Sequence, residues 1–228
     1  MPTRRKLLIG TGQTWLLSAL GVAMTRQTTN ATVLSAGLQV PYSAGRGTPD
    51  IDVPLNACDC HHHIYDPVRY PYVPEDTRNQ PPATVDAYRL LQTRLGLTRN
   101  VIVQPSAYGF DNACTLQALK YMGPNARAVV VIDEHVTSPE LAAMHEIGVR
   151  GIRFNIATGA SKDLERIKTL SDRVHDFGWH VQFWMSAQDT VAMAPLLKQF
   201  RCPIVFDHRG HLPQPEGVQH PAFRAIAK

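Results

Sequence analysis

From residue 55 onward, short apolar runs alternate with segments of helical period. Runs at 55–60, 100–104, 128–132, 149–154, 179–185 and 203–207 read as strands. Between them, 85–95, 112–122, 139–147, 162–177 and 187–200 carry helical patterns, and 221–227 begins another helix. The punctuation agrees with the pattern. Thr84 can cap the first helix and Gly96 stops it; Gly123-Pro124, Gly148 and Gly178 stop later ones. Ser138 is placed to cap the helix that opens on Pro139, since proline is tolerated at a first helical position. The strand runs lack strict alternation, which fits strands buried on both faces. Strands alternating with helices imply a parallel sheet with crossover helices.

Two α/β architectures answer that description, a doubly wound sheet and a barrel. No glycine-rich phosphate loop follows any strand, which counts against the nucleotide-binding version of the former. In a barrel, chemistry gathers at the C-terminal strand ends. Polar residues collect there: His61 and His63, Gln104 and Ser106, Asp133, Arg153 and Asn155, Gln182 and Trp184, Asp207 and His208. The expected fold is a TIM-barrel type, (β/α)8, incomplete, with about six βα units present.

Composition adjusts this picture in three places. With 44% hydrophobic and 18% charged residues among 228, the chain can bury a core. The net charge of +4 owes three units to Arg4, Arg5 and Lys6, in a 23-residue stretch without an acid; without them it falls to +1. No basic patch for nucleic acid or a membrane surface remains. Residues 1–23 follow the three-part plan of an export signal, and the paired arginines before the apolar stretch resemble the twin-arginine type. Gly10, Thr11, Gly12, Gln13 and Thr14 make that stretch too polar for a stable membrane span, with an uncleaved anchor as the alternative. Residues 24–54 read as a flexible leader, 55–228 as the domain, and the periplasm as the expected location. Cys58, Cys60, Cys114 and Cys202 match no zinc or redox spacing and are expected to be small buried hydrophobes.

The chemistry concentrates in three stretches. In Asp59-Cys60-His61-His62-His63, extended backbone points His61 and His63 the same way and His62 toward the helix layer. Two imidazoles so placed can grip one metal ion or one carbonyl oxygen; the alternative is a structural role. Val205-Phe206-Asp207-His208-Arg209-Gly210-His211 brings an acid and a histidine to the same rim. There Asp207 either orients an imidazole or caps a turn, and His208 is a stronger candidate than His211. In Arg150-Gly151-Ile152-Arg153-Phe154-Asn155, alternation sets Arg153 and Asn155 opposite Arg150. Arg153 can clamp a carboxylate or pair with an acid such as Asp133. Gln104, Ser106 and Tyr108 offer neutral groups to a polar substrate or simply pack a loop, and Tyr65, Tyr70 and Tyr72 can wall a ring or cover the mouth.

Together with Gly178-Trp179-His180-Val181-Gln182, these stretches resemble the amidohydrolase superfamily, and within it the branch of 2-pyrone-4,6-dicarboxylate lactonase. The likeness runs over residues 55–228. It implies an eight-stranded barrel that hydrolyses a carboxylate-bearing lactone, a small-molecule partner. His61, His63 and His208 would be catalytic, with Arg153, Asn155, Gln104, Ser106 and Tyr108 contacting substrate and Asp59 and Asp207 orienting the imidazoles. No metal is obligatory in that branch; if one divalent ion such as zinc is bound, His61, His63 and His208 would hold it. An aspartate after an eighth strand would be the general base, and strands seven and eight are not found here. The alternatives are a metal-dependent decarboxylase of the same superfamily and an inactive, truncated barrel.

Overall fold

The computed structural model describes residues 40–41, 43–156 and 163–227. The stretch read as an export signal, most of the expected leader and Lys162 lie outside them. Six strands are seen among these residues: β1 Cys58–His62, β2 Arg99–Val103, β3 Ala126–Val130, β4 Val149–Asn155, β5 His180–Trp184 and β6 Ile204–Phe206. Six α-helices alternate with them: α1 Val85–Leu95, α2 Ala113–Met122, α3 Ser138–Glu146, α4 Leu164–His175, α5 Ala187–Leu197 and α6 Pro221–Ile226. All neighbouring strand pairs are parallel and the order is sequential, β1 to β6. The sheet curls into a half-barrel with helices outside, the incomplete barrel that the strand–helix alternation implies.

Helix boundaries follow cap chemistry. Thr84 Oγ1 accepts the Ala87 N–H to start α1, and Gly96 ends it at φ +70°. The cap of α3 is Thr137, not Ser138: Thr137 and Glu140 satisfy each other's backbone N–H groups in a capping box, so Ser138 becomes the first helical residue. Asp163 caps α4 and Ser186 caps α5. Strand β3 begins two residues earlier than its apolar run, because Arg127 sits exposed between buried Ala126 and Ala128.

The core lies between the sheet's outer face and the helices. Ile102, Ala128, Val130, Ile152, Val181 and Phe183 join Leu119, Leu141, Ile167, Leu170 and Val174 in one cluster. Each such aliphatic side chain contributes about 1.5–3 kcal/mol by leaving water. Cys114 and Cys202 belong to this interior, as small hydrophobes should. Cys60 is exposed and Cys58 half-buried, because β1 pairs with no strand other than β2 among the described residues. Part of the leader is tied down: Arg94 on α1 donates to Gly45 O and Ser43 Oγ.

Candidate active site

Alternation in β4 turns Gly151, Arg153 and Asn155 inward while Ile152 enters the core. In β5 the same rule sends His180, Gln182 and Trp184 inward, and register places Arg153 beside Gln182. Gly151 is required by what faces it, since a Cβ there would lie 2.6 Å from the His180 ring. β6 delivers Asp207 to the same level, where it is 3% exposed. Its Oδ2 accepts from Arg153 Nη2 at 2.7 Å and Nε at 3.0 Å, and its Oδ1 accepts from Gln182 Nε2 at 2.6 Å. Arg153 is therefore paired, and with Asp207 rather than Asp133; Asp133 accepts from the His135 N–H in a loop elsewhere. One guanidinium nitrogen stays lightly held, with Nη1 at 3.4 Å from Gln104 O.

His61 reaches this group from β1. Its Nδ1 lies 3.3 Å from Gln182 Nε2 and 3.5 Å from Asp207 Oδ1, and its buried Nε2 has no partner among the described residues. His63 is beside it, with ring centroids 5.0 Å apart. His63 Nδ1 is 2.7 Å from Val103 O, and a carbonyl only accepts, so the hydrogen sits on Nδ1. Burial lowers the pKa of His61, partly offset by the Asp207 charge, and lowers His63 to about 4 despite the Val103 bond. Both rings are neutral near pH 7. His62 points outward, stacked on Tyr88 at 3.6 Å and bonded to Asn100 Oδ1. Asp59 braces β1 at its bulge by accepting from the His61 N–H and the Tyr88 hydroxyl.

His208 is exposed, its ring 5.7 Å from that of His61. It sits in a left-handed stretch in which His208, Arg209, Gly210 and His211 all have positive φ. Such backbone costs non-glycine residues about 1–2 kcal/mol each. His211 accepts from Trp184 Nε1 at 2.8 Å, which holds the rim of β5 to that turn.

Of this cluster, Arg153 also borders a cleft of about 550 Å³, with Gln104, Ser106, Asn155, Phe110 and Arg166 among its other walls. Gln104 spends its amide inside the protein, on Thr115 Oγ1 and Asp111 O, so it shapes the wall. Ser106 Oγ accepts from Arg78 Nη2 at 2.7 Å. Tyr108 is not brought to the cleft; its hydroxyl accepts the Asp66 N–H at 2.8 Å beneath the ring cluster of Tyr65 and Tyr72. The sequence places Gln182 at the strand-end rim without a role for it, and does not single out Arg78 or Arg166. Gln182 had a signal, a polar residue between buried Val181 and Phe183. The two arginines had none, since a loop and a helix start carry arginine anywhere.

Catalytic zinc takes three protein ligands. No group of three His, Cys, Asp or Glu side chains among the described residues is disposed to hold a metal ion. His61 also opposes such a site: a metal at Nε2 would put the ring hydrogen on Nδ1, against the amide of Gln182. The described residues do not fit a metal centre.

Inward histidines from the first strand, an acid and a histidine after the sixth and an arginine from the fourth are the arrangement that the motif order implied. Residues 58–228 match the amidohydrolase family profile, and the chain belongs to that family. It is 30% identical to 2-pyrone-4,6-dicarboxylate hydrolase of Comamonas testosteroni, over 82% of this chain and 62% of that one. It is also 30% identical to 4-sulfomuconolactone hydrolase of Hydrogenophaga intermedia, over 76% of this chain and 59% of that one. The crystal structure of an Agrobacterium tumefaciens protein in its apo form superposes with a TM-score of 0.71 at 28% identity, over 79% of this chain and 64% of that one. The chain thus spans 59–62% of the length of these two curated relatives.

Proposed function

We propose that this chain carries the carbonyl-polarising and anion-binding part of a hydrolase for carboxylate-bearing lactones. The observation that carries the reading is the unpartnered, buried Nε2 of His61, in one polar cluster with Arg153 through their shared partner Asp207. A lactone seated with its carbonyl oxygen against that nitrogen receives a hydrogen bond that strengthens as charge builds on the oxygen. The lightly held edge of the Arg153 guanidinium, Nη1, takes a carboxylate in place of its long contact to Gln104 O while its other edge stays on Asp207. Water then attacks the carbonyl carbon, the ring C–O bond breaks, and a hydroxy acid leaves. The resemblance assigns the proton-accepting aspartate to an eighth strand; six strands are described here. The relatives named for a pyrone dicarboxylate and a sulfomuconolactone support a charged, unsaturated lactone. We further propose that residues 1–23 direct export by the twin-arginine route, from their paired arginines.

The test is hydrolysis of 2-pyrone-4,6-dicarboxylate and of its dimethyl ester, followed by loss of ring absorbance with chelator present. The dicarboxylate is expected to turn over, the ester at least tenfold more slowly, with Arg153→Lys raising KM for the dicarboxylate about tenfold. Turnover of neither lactone, or equal rates for both, overturns the proposal. Carbon dioxide release without ring opening, abolished by chelator and restored by zinc, would favour the metal-dependent decarboxylase class instead.

A further inference from the structure

We propose that Gln182 is a positioning residue that fixes the tautomer of His61, holding its ring hydrogen on Nε2. The inference deepens the lactone-hydrolase reading, since it says how His61 is kept as a hydrogen-bond donor to the carbonyl.

The argument begins with which end of the Gln182 amide is nitrogen. One terminal atom lies 2.6 Å from Asp207 Oδ1. An amide oxygen there would face a carboxylate oxygen, two acceptors in contact, so Asp207 forces nitrogen into that position. The carboxylate is itself locked, its other oxygen held by two guanidinium hydrogens of Arg153. An amide nitrogen carries two hydrogens. Asp207 takes one, and the second has His61 Nδ1 3.3 Å away. Nδ1 must then present its lone pair. A neutral imidazole with an acceptor at Nδ1 carries its hydrogen at Nε2, the buried atom left without a partner.

Asp207 offers the competing arrangement, because its Oδ1 stands 3.5 Å from the same Nδ1 and could accept from it. Gln182 decides the contest because its second amide hydrogen is nearer to Nδ1, at 3.3 Å, and would meet a hydrogen on Nδ1 head-on. The register of the sheet makes this possible. Gln182 is opposite Arg153 across the β4–β5 pair, and Val181 and Phe183 on either side of it anchor β5 in the core. With Gln182 itself 3% exposed, water does not substitute for it.

His63 is set the other way by Val103, with the hydrogen on Nδ1. The two neighbouring imidazoles therefore differ at Nε2, a donor on His61 and an acceptor on His63. A carbonyl oxygen suits the first, and a hydroxyl or attacking water suits the second.

The experiment is a long-range proton–nitrogen correlation spectrum of the full chain labelled with 15N-histidine at pH 7.5. His61 is assigned by the signal lost in His61→Asn. The expected result is Nδ1 in the unprotonated range and Nε2 in the protonated range. In Gln182→Met the second donor is gone, Asp207 Oδ1 is released, and the hydrogen moves to Nδ1. Gln182→Asn, which keeps the amide but shortens its reach, is expected to give a mixture. A wild-type spectrum with the hydrogen on Nδ1 overturns the proposal, whether or not any variant folds. So does a folded Gln182→Met chain whose His61 signals match wild type. None of these spectra depends on turnover, so a chain that shows the expected tautomers yet hydrolyses no lactone would sink the functional reading alone. Where hydrolysis is measurable, Gln182→Met is expected to lower kcat about 100-fold, the loss of one oxyanion donor, with KM within about threefold.

Discussion

Arg153→Met removes one half of a buried ion pair and leaves the other in place. The two side chains are 6% and 1% exposed, and the guanidinium meets Asp207 Oδ2 at 2.7 Å and 3.0 Å. At an effective dielectric of about 20, charges at that separation attract by about 6 kcal/mol. Methionine recovers the cost of desolvating the arginine but not that of the carboxylate. Asp207 is then left with one amide bond from Gln182 and a long contact to His61. Breaking such a pair from one side costs about 3–5 kcal/mol. With a urea slope of about 2 kcal/mol/M, the unfolding midpoint falls by roughly 1.5–2.5 M. The companion variant is Asp207→Asn, which keeps an oxygen for Gln182 and discards the charge. Arg153→Met/Asp207→Asn is expected to be more stable than Arg153→Met alone, with a coupling energy of at least about 2 kcal/mol from the four urea curves. A midpoint shift worth under about 1 kcal/mol in Arg153→Met, or additivity across the cycle, would refute the reasoning.

Two further outcomes follow from the same interior. His61, His62 and His63 all have pKa values lowered chiefly by burial, His63 to about 4. The unfolded chain therefore takes up protons first, so stability is full above pH about 6.5 and declines as pH falls through about 4, His63 alone accounting for up to about 3 kcal/mol. Urea midpoints that stay level from pH 7.5 to 4.5 would contradict this, and His63→Gln is expected to flatten the curve. Gly151→Ala presses a methyl into the His180 ring at 2.6 Å, which is expected to cost about 1–3 kcal/mol and lower Tm by roughly 5 °C. Adding His180→Ala should restore most of that loss, and an additive double variant would show that the ring is not the obstacle.

What the sequence made legible follows a simple division. Features set by local period were readable: the inward direction of His61 and His63, the outward turn of His62, and Arg153 opposed to Arg150. Features set by register across the sheet were not. Asp133 is nearer to Arg153 along the chain than Asp207 is, yet β3 ends at Val130 and leaves Asp133 in the loop beyond, while β6 carries Asp207 to the guanidinium, 54 residues away. Tyr108 shows the same limit in a loop. Its place in a conspicuous motif says nothing of a hydroxyl turned down onto the Asp66 N–H. Cap positions fell between the two cases, because Thr137 and Ser138 both qualify by type and only Glu140, three residues beyond Thr137, selects between them.

His61 is made long before the residues that govern it. Gln182 follows it by 121 positions, and Asp207 by 146. At a synthesis rate of about 5–20 residues per second, the imidazole waits roughly 7–30 s for its carboxylate neighbour. His63 waits for Val103, only 40 positions on, about a third of the way to Gln182. The two histidines of one strand are therefore settled at different times, and the commitment of His61 to one face of its ring is among the last events in building the sheet. A nascent or partly opened chain that has paired β1 with β2 holds one directed histidine, His63, and one uncommitted, His61, until β5 and β6 join the sheet.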